Sequence, residues 1–374
     1  MKTGYKEISL LAAGDCGPSH GIKNGFPLER YTELVRPTLA AADVRYVNSM
    51  RQYSLLGTHN EHAPHGRQPP EMAKILMDCG FDVANIGNNH MYDSGPDALL
   101  DTCALLRKMG IQVTGAGRDL EEARRPAIIE RNGVKIGFLG YCSLLPPGCE
   151  AGPGKPGIAP LHIRTSYETR GPHAPVRVRT EPNERDLQMI IDDIRALRKQ
   201  VDIVIPALHC GIVWLPRIIP DYHVTVAHAC VDAGADLVLG HASHVPKAIE
   251  VYRGKTIFYS LSTFCLTKPF AGPGWSEAPW KHGATRNHAD QDPDYPLLPF
   301  GKDAKWTLLA KARLSSAGVK QVSFLPMMID SQYRPEVLQS SDPRFLAMLR
   351  YMEWVSEGFD HHFTVEGDEV VIAV

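Results

Sequence analysis

The chain has 374 residues, of which 44% are hydrophobic and 22% are charged, which is typical of a soluble globular protein. Its 40 basic and 42 acidic residues give a net charge of −2, so charge provides no basis for binding nucleic acid. No stretch approaches the roughly 18 apolar residues that span a bilayer, and the N-terminal apolar run is too short for a signal peptide. We therefore expect a cytoplasmic protein that does not contact the membrane.

The N-terminal half alternates strand patterns with helical patterns, and polar residues follow the strands. The patterns predict strands at residues 8–13, 44–47, 81–86 and 136–139, and helices at residues 29–42, 69–80 and 96–109. The polar residues at the strand ends are Asp15, Asn48, Asn89 and His90. This alternation indicates an α/β fold, which we expect to form one domain over residues 1–374. Asp93 precedes a predicted helix and is interpreted as its N-cap.

Histidines follow two strands of the most informative stretch, residues 201–264. An apolar strand at 201–208 ends at His209, a helix is predicted at 220–233, and a strand at 236–239 leads to His241 and His244. Loops at the C-terminal ends of neighbouring parallel strands converge at one edge, where ligands bind. Imidazoles gathered there indicate a metal site or an acid–base centre. The alternative is that they are ordinary loop histidines.

Two long stretches are rich in proline, glycine and polar residues. Residues 146–182 are predicted to form an irregular surface excursion. Residues 268–301 are interpreted as a substrate-facing lid, and the substrate-binding candidates are Asn48 and four residues of this lid: Trp275, Trp280, His288 and Asp290. A helix capped by Asn183, paired strands at 305–312 and 319–325, and a helix at 343–357 complete the predicted elements.

Six ordered blocks resemble the CapA (poly-γ-glutamate capsule biosynthesis) family. They include AAGDC at Asp15, NIGNNHMYDSG around His90, HCG at His209, and GHASH with IEVYRGKTIFYSLSTF after it. The resemblance covers roughly residues 8 to 265. It implies a four-layer α/β/β/α sandwich with the calcineurin-like, metallophosphoesterase-like fold, and a metal centre at the strand ends.

Carried over position by position, the resemblance implies metal ligands and catalytic groups. The implied metal ligands are Asp15, Asn89, His209, His241 and His244, and the implied catalytic residues are Asp15, His90 and His209. The chain departs from the family pattern at Gly17, at Met50 and at Val213, and the last two positions lose a carboxylate. Because carboxylates bridge and neutralise dications, we expect one divalent metal ion at most, with Mn, Zn, Fe and Ca all open.

Three functions remain open from the sequence. The leading hypothesis is a single-metal enzyme in which Asp15 and His90 hydrolyse an amide or peptide of γ-glutamyl type, or a phosphate-bearing substrate. The second is a metal-dependent peptide Cα epimerase of the lasso-peptide type, with His288 and Asp290 or Asp292 as its second acid–base pair. The third is a non-catalytic capsule polyglutamate biosynthesis or binding factor. The expected partner is a small-molecule or peptide substrate, and a homodimer is left open.

Overall fold

The computed structural model describes residues 6–18, 27–60, 66–169, 171–266, 292–295, 298 and 301–373. The predicted lid residues Trp275, Trp280, His288 and Asp290 lie outside these ranges. In chain order the strands are β1 (Ile8–Gly17), β2 (Val44–Ser49), β3 (Val83–Asn85), β4 (Gln112–Thr114), β5 (Ala116–Gly117), β6 (Ala127–Arg131), β7 (Val134–Cys142), β8 (Gly157–Ile158), β9 (Ile163–Glu168), β10 (Arg177–Pro182), β11 (Ile203–His209), β12 (Leu237–His241), β13 (Ile249–Tyr252), β14 (Lys255–Phe258), β15 (Thr263–Leu266), β16 (Trp306–Ser315), β17 (Gly318–Ile329), β18 (Pro335–Val337), β19 (Phe363–Glu366) and β20 (Glu369–Ile372).

The α-helices of the described residues cover the outer faces of the sheets or close one end of the core. They are α1 (Arg36–Ala40), α2 (Lys74–Asp78), α3 (Gly95–Lys108), α4 (Leu120–Ala123), α5 (Glu184–Arg198), α6 (Asp221–Ala233) and α7 (Pro343–Ser356). The Asn183 side chain caps α5, since its oxygen accepts hydrogen bonds from the amides of Arg185 and Asp186. No helix in the described part of the chain is long and apolar enough to cross a membrane.

Two large sheets hold the fold together. The larger has the strand order β19-β20-β17-β16-β1-β2-β3-β4, with β15 also paired to β1 and β18 to β17. The smaller has the order β13-β14-β12-β11-β7-β6. Strands β1 to β4 are parallel, and so are β7, β11, β12 and β14. The C-terminal ends of the parallel strands therefore lie at one edge of each sheet.

Alternation along the strands divides the apolar residues into three cores. On β1, Leu10 and Ala12 face the core between the sheets, while Leu11 and Ala13 face the helices α1 to α3. On β11, alternate residues face the same central core, and Val204 and Leu208 face α5 and α6. Helices thus cover the outer face of each sheet, and the predicted four-layer α/β/β/α arrangement is confirmed.

Two predicted stretches differ from the structure. The helix predicted at residues 29–42 is split into a 3₁₀ turn at Leu28–Thr32 and the short helix α1, because Pro37 has no N–H to continue a helix. The irregular excursion at 146–182 instead contains β8 and the antiparallel hairpin of β9 and β10. That hairpin is largely exposed, so its polar composition is compatible with strands even though it would not suit a buried sheet.

Candidate active site at the strand ends

The register of the parallel strands brings polar residues of both sheets to one place. In the larger sheet Asp15 pairs with Asn48, and Asn48 pairs with Asn85 on the next strand. In the smaller sheet His209 pairs with His241 at the ends of β11 and β12. The sheets stack face to face, so these two rows meet across the central core.

Asp15 lies at the centre of this site and is fully buried. Its Oδ1 accepts a hydrogen bond from Asn48 Nδ2 at 2.7 Å, and its Oδ2 accepts one from the Ala242 amide at 3.2 Å. Burial raises the pKa of Asp15 to about 7, because the two hydrogen bonds only partly offset the loss of solvation. This carboxyl group therefore exchanges its proton near neutral pH.

Two imidazoles contact the Asp15 carboxylate. His241 Nδ1 is 3.6 Å from Oδ1, and His244 Nδ1 is 3.3 Å from Oδ2. His241 Nε2 is 2.9 Å from the Tyr46 hydroxyl, and burial lowers the pKa of His241 to about 3, so this ring is neutral. Ala242 and His244 have φ angles of 83° and 56°, a region that costs free energy for residues other than glycine. The loop thus adopts a strained conformation that places both rings at one carboxylate.

His209 connects the two sheets through hydrogen bonds on both of its ring nitrogens. Its Nδ1 is 3.2 Å from Asn48 Nδ2, and its Nε2 is 2.9 Å from Asn89 Oδ1. An amide N–H donating to Nδ1 requires the proton on Nε2, which then donates to Asn89. Burial holds the pKa of His209 well below its ordinary value. His209 is therefore a neutral bridge in a fixed tautomer.

A second carboxylate–imidazole pair lies at the far end of this bridge. His90 Nδ1 is 3.0 Å from Asp93 Oδ2, and Asn89 Nδ2 lies 3.4 Å from His90 Nε2. The N-cap interpretation of Asp93 is wrong, because Ser94 occupies the N-cap position of α3. Asp93 thus supplies the carboxylate at His90 for which the sequence analysis proposed Asp15.

Two further residues, Asn85 and Tyr46, complete the site and were not identified from the sequence. Asn85 Nδ2 donates to Asn48 Oδ1 at 2.9 Å, and the Gly87 amide donates to Asn85 Oδ1 at 3.0 Å. A Cβ on Gly140 would lie 2.0 Å from Asn85 Oδ1, so this glycine makes room for the amide. Asn85 was detectable, since it ends a predicted strand beside Asn48, whereas Tyr46 and Asp93 required the fold.

The exposed part of the site identifies the groups that a substrate can reach. His90 and His244 are each 8% exposed and Asn89 is half-buried, whereas Asp15 and His241 are completely buried. Each of the two partly exposed imidazoles contacts a carboxylate behind it, Asp93 or Asp15. The arrangement can therefore move protons at two separate points.

The donor set fits a divalent metal ion only in part. His241 Nδ1 is buried without a hydrogen-bond partner beside the Asp15 carboxylate, an environment that a cation would satisfy. Over the described ranges, no group of three or more His, Cys, Asp and Glu side chains is arranged to hold a metal ion. The structure thus offers one pair of ligands for an ion, which would complete its coordination with water or substrate.

One alternative for the second acid–base pair, His288 with Asp292, stays a prediction, because His288 lies outside the described residues. Asp292, a predicted partner of His288, forms an ion pair with Lys305 at 2.8 Å between Oδ2 and Nζ. This lysine lowers the pKa of Asp292, so the carboxylate is committed to the ion pair.

The chain has relatives among curated proteins and solved structures. It is 31% identical over 213 residues to the PGA biosynthesis protein CapA of Bacillus subtilis, covering 57% of this chain and 48% of that protein. It is 33% identical over 201 residues to the probable polyglutamine synthesis accessory protein Rv0574c of Mycobacterium tuberculosis, covering 52% and 47%. The chain thus spans about half the length of these relatives.

Among solved structures, the calcineurin-like phosphoesterase YfkN of Bacillus subtilis aligns with a TM-score of 0.41 and 13% identity, covering 84% of this chain and 88% of that chain.

A family model matches a longer part of the chain than these relatives do. The model described as bacterial capsule synthesis protein PGA_cap matches residues 9–267, which include every described residue of the candidate site. The resemblance in the sequence is therefore confirmed, and the chain belongs to the bacterial capsule synthesis protein family PGA_cap.

Proposed function

We propose that this chain is an acid–base enzyme that acts on an amide or peptide substrate, with glutamyl polymers as the first class to test. The observation that carries the proposal is the presence of two carboxylate–imidazole pairs, His90 with Asp93 and His244 with Asp15, joined through His209. The names of the relatives, which refer to PGA and polyglutamine synthesis, support the substrate class.

His90 is the first proton-transfer group. With its Nδ1–H donating to Asp93, its Nε2 is an acceptor that the Asn89 amide approaches at 3.4 Å, and a water molecule or the substrate that displaces this long contact can transfer a proton to Nε2. The carboxylate fixes this tautomer and stabilises the imidazolium that forms. The side-chain amide of Asn89 contacts both His90 and His209, so it fixes the position of the His90 imidazole relative to the smaller sheet.

His244 and Asp15 form the second proton-transfer group. A carboxyl group with a pKa of about 7 can give or take a proton at neutral pH at little cost. His244 Nδ1 lies 3.3 Å from both the Asp15 carboxylate and the Thr263 hydroxyl, so we expect Nε2 to be the nitrogen that meets the substrate. A divalent ion held by Asp15 and His241 would polarise the substrate carbonyl when bound, and it would keep Asp15 ionised, which leaves the proton transfer to His244.

Amide hydrolysis is the leading reaction, with one pair activating water and the other protonating the leaving amine. Removal and return of a proton at Cα is the second candidate, because two separate pairs can each hold the proton on a different face of the carbon. Both reactions use the same four residues, and they differ in their products.

The test is an assay of γ-linked oligoglutamate and of α-linked peptides in deuterated water, with Mn²⁺, Zn²⁺, Fe²⁺ or Ca²⁺ supplied. Mass spectrometry then separates cleavage from deuterium incorporation at Cα. We expect His90→Gln and His244→Gln to lower the rate by about 100-fold or more. The matched control is His228→Gln, since His228 pairs with Glu250 on the outer side of the smaller sheet.

A parallel measurement of metal content tests the ion. The parent protein, made without a histidine tag, should bind up to one equivalent of divalent metal, and Asp15→Ala and His241→Ala should lose it. If the parent neither cleaves nor exchanges either substrate class with any of the four ions, the acid–base proposal fails. An accessory role in polymer synthesis would then be the better explanation.

A further inference from the structure

The hairpin of β9 and β10 projects from the body of the fold and exposes apolar side chains. Tyr167 and Val178 are directly opposite each other in the hairpin, and they are 76% and 53% exposed. A lone two-stranded ribbon is marginally stable in water, and exposed strand edges are templates for pairing. In a single chain the hairpin therefore leaves apolar side chains exposed that a further strand could cover.

The two edges of this hairpin differ. β10 lies next to α6, because Thr180 Oγ1 accepts a hydrogen bond from the Tyr222 amide at 3.2 Å and Arg177 lies 3.6 Å from Asp221. Within the described residues, β9 pairs with no strand other than β10. The outer edge of β9 is therefore the edge on which another strand can add.

The sequence of β9 is complementary to itself when two copies run antiparallel about Ser166. In that register Arg164 of each copy lies opposite Glu168 of the other, and Thr165 lies opposite Tyr167. Arg164 and Glu168 form ion pairs with Glu181 and Arg179 of the same hairpin, and 78% and 52% of their side-chain surface stays exposed, so each can add a partner across the edge.

The same operation on β10 is unfavourable. A two-fold axis at Arg179 would pair Arg177 with Glu181 but would place two arginines directly opposite each other at its centre, and like charges in that position are destabilising. The strand also ends at Pro182, which has no N–H to donate. Charge complementarity thus selects β9 over β10.

We propose that a second copy of this chain docks on the outer edge of β9 and forms a four-stranded ribbon in the order β10-β9-β9-β10. Two Arg164–Glu168 pairs fix its register, and the two Tyr167 side chains lie near the two-fold axis on one face. Because one six-residue strand from each copy buries less surface than a stable dimer interface, the dimer is reversible and dependent on concentration.

The first experiment is disulfide trapping with Ser166→Cys. Side chains directly opposite in antiparallel strands have Cβ atoms about 4.5–5.5 Å apart, close enough for a disulfide after a small adjustment. Arg179→Cys is the matched control, since Arg179 lies opposite Ser166 in the same hairpin but on the strand away from the axis. The eight native cysteines are buried or half-buried, so the parent chain measures the background.

We expect a covalent dimer from Ser166→Cys under mild oxidation and little from Arg179→Cys or the parent. Sedimentation velocity over a concentration series should show a dimer that Arg164→Glu weakens by about tenfold. An equimolar mixture of Arg164→Glu chains and Glu168→Arg chains should dimerise better than either variant alone, because each charge then faces its opposite across the interface while the contacts inside each hairpin are those of the single variants. A parent chain that stays monomeric throughout, or equal trapping at Ser166 and Arg179, would overturn the proposal.

Discussion

The raised pKa of Asp15 gives a direct test of the site through the pH dependence of stability. We consider Asp15→Asn in protein freed of metal with a chelator. Asparagine keeps the shape of the side chain but cannot ionise, so it removes the cost of burying a carboxylate. It sacrifices one of the two hydrogen bonds to Asn48 Nδ2 and the Ala242 amide, a loss that does not depend on pH.

The size of the effect on stability follows from the difference between the pKa of Asp15 in the unfolded chain and its pKa in the folded protein. The Asp15 carboxyl has a pKa of 3.8 when solvated and about 7 in the folded protein. Between these values the unfolded chain has released the proton and the folded chain still holds it, so stability falls as the pH rises. The slope is about 1.36 kcal/mol per pH unit at pH 5 and falls to half of that at pH 7, where the folded carboxyl is half ionised, which gives about 2 kcal/mol between pH 5 and pH 7. Above pH 7 the effect levels off, and below about pH 4 it is absent.

The assay is urea unfolding of the parent and of Asp15→Asn at pH 5, 6, 7 and 8. The informative quantity is the difference in unfolding free energy between the two proteins, because contributions from other titrating groups cancel in it. This difference should shift in favour of the variant by about 2 kcal/mol from pH 5 to pH 7. Asp97→Asn, at an exposed carboxylate, controls for the loss of one charge. A difference that stays constant across this range would refute the burial argument.

Two other substitutions test how the site is supported and how its neighbourhood folds. Gly140→Ala places a Cβ 2.0 Å from Asn85 Oδ1, so it should cost about 1–3 kcal/mol in urea unfolding and lower the rate in the peptide assay. A variant of unchanged stability and rate would show that the Asn85–Asn48 contact is dispensable. Asn183→Ala removes the cap of α5 and should cost about 1 kcal/mol, without effect on the rate, because α5 covers the outer face of the smaller sheet. A loss of rate at full stability would contradict that placement.

The fold was largely predictable because its signals are local. A stretch bounded by Pro220 and Gly234 was predicted to form a helix at 220–233, and the structure has it as Asp221–Ala233. The left-handed Gly234 ends it, as glycine does at many helix ends. The strand before His209 was predicted for the same reason, and strand ends then indicated which edge holds the polar residues.

The pairing of carboxylates with imidazoles was not predictable from the same signals. Asp15 meets His241 and His244 only because the two sheets stack. These residues are far apart in the sequence, so no local pattern indicates their contact. Asp93 is three residues from His90, but an aspartate before a proline-initiated helix has the same sequence pattern as an N-cap. The turn geometry, which gives the cap position to Ser94, decides between the two.

The amides that surround the one buried carboxylate link the chemistry of this site to its fold. Asn85 and Asn48 donate along a chain that ends on Asp15, so the buried centre contains a single carboxylate, stabilised by neutral groups. A neutral amide network stabilises an ion less than a second carboxylate would, since it offers dipoles in place of charge. The same network leaves the pKa of Asp15 near neutrality, where proton transfer costs least. The amides that weaken a metal site are thus the groups that suit Asp15 to acid–base chemistry.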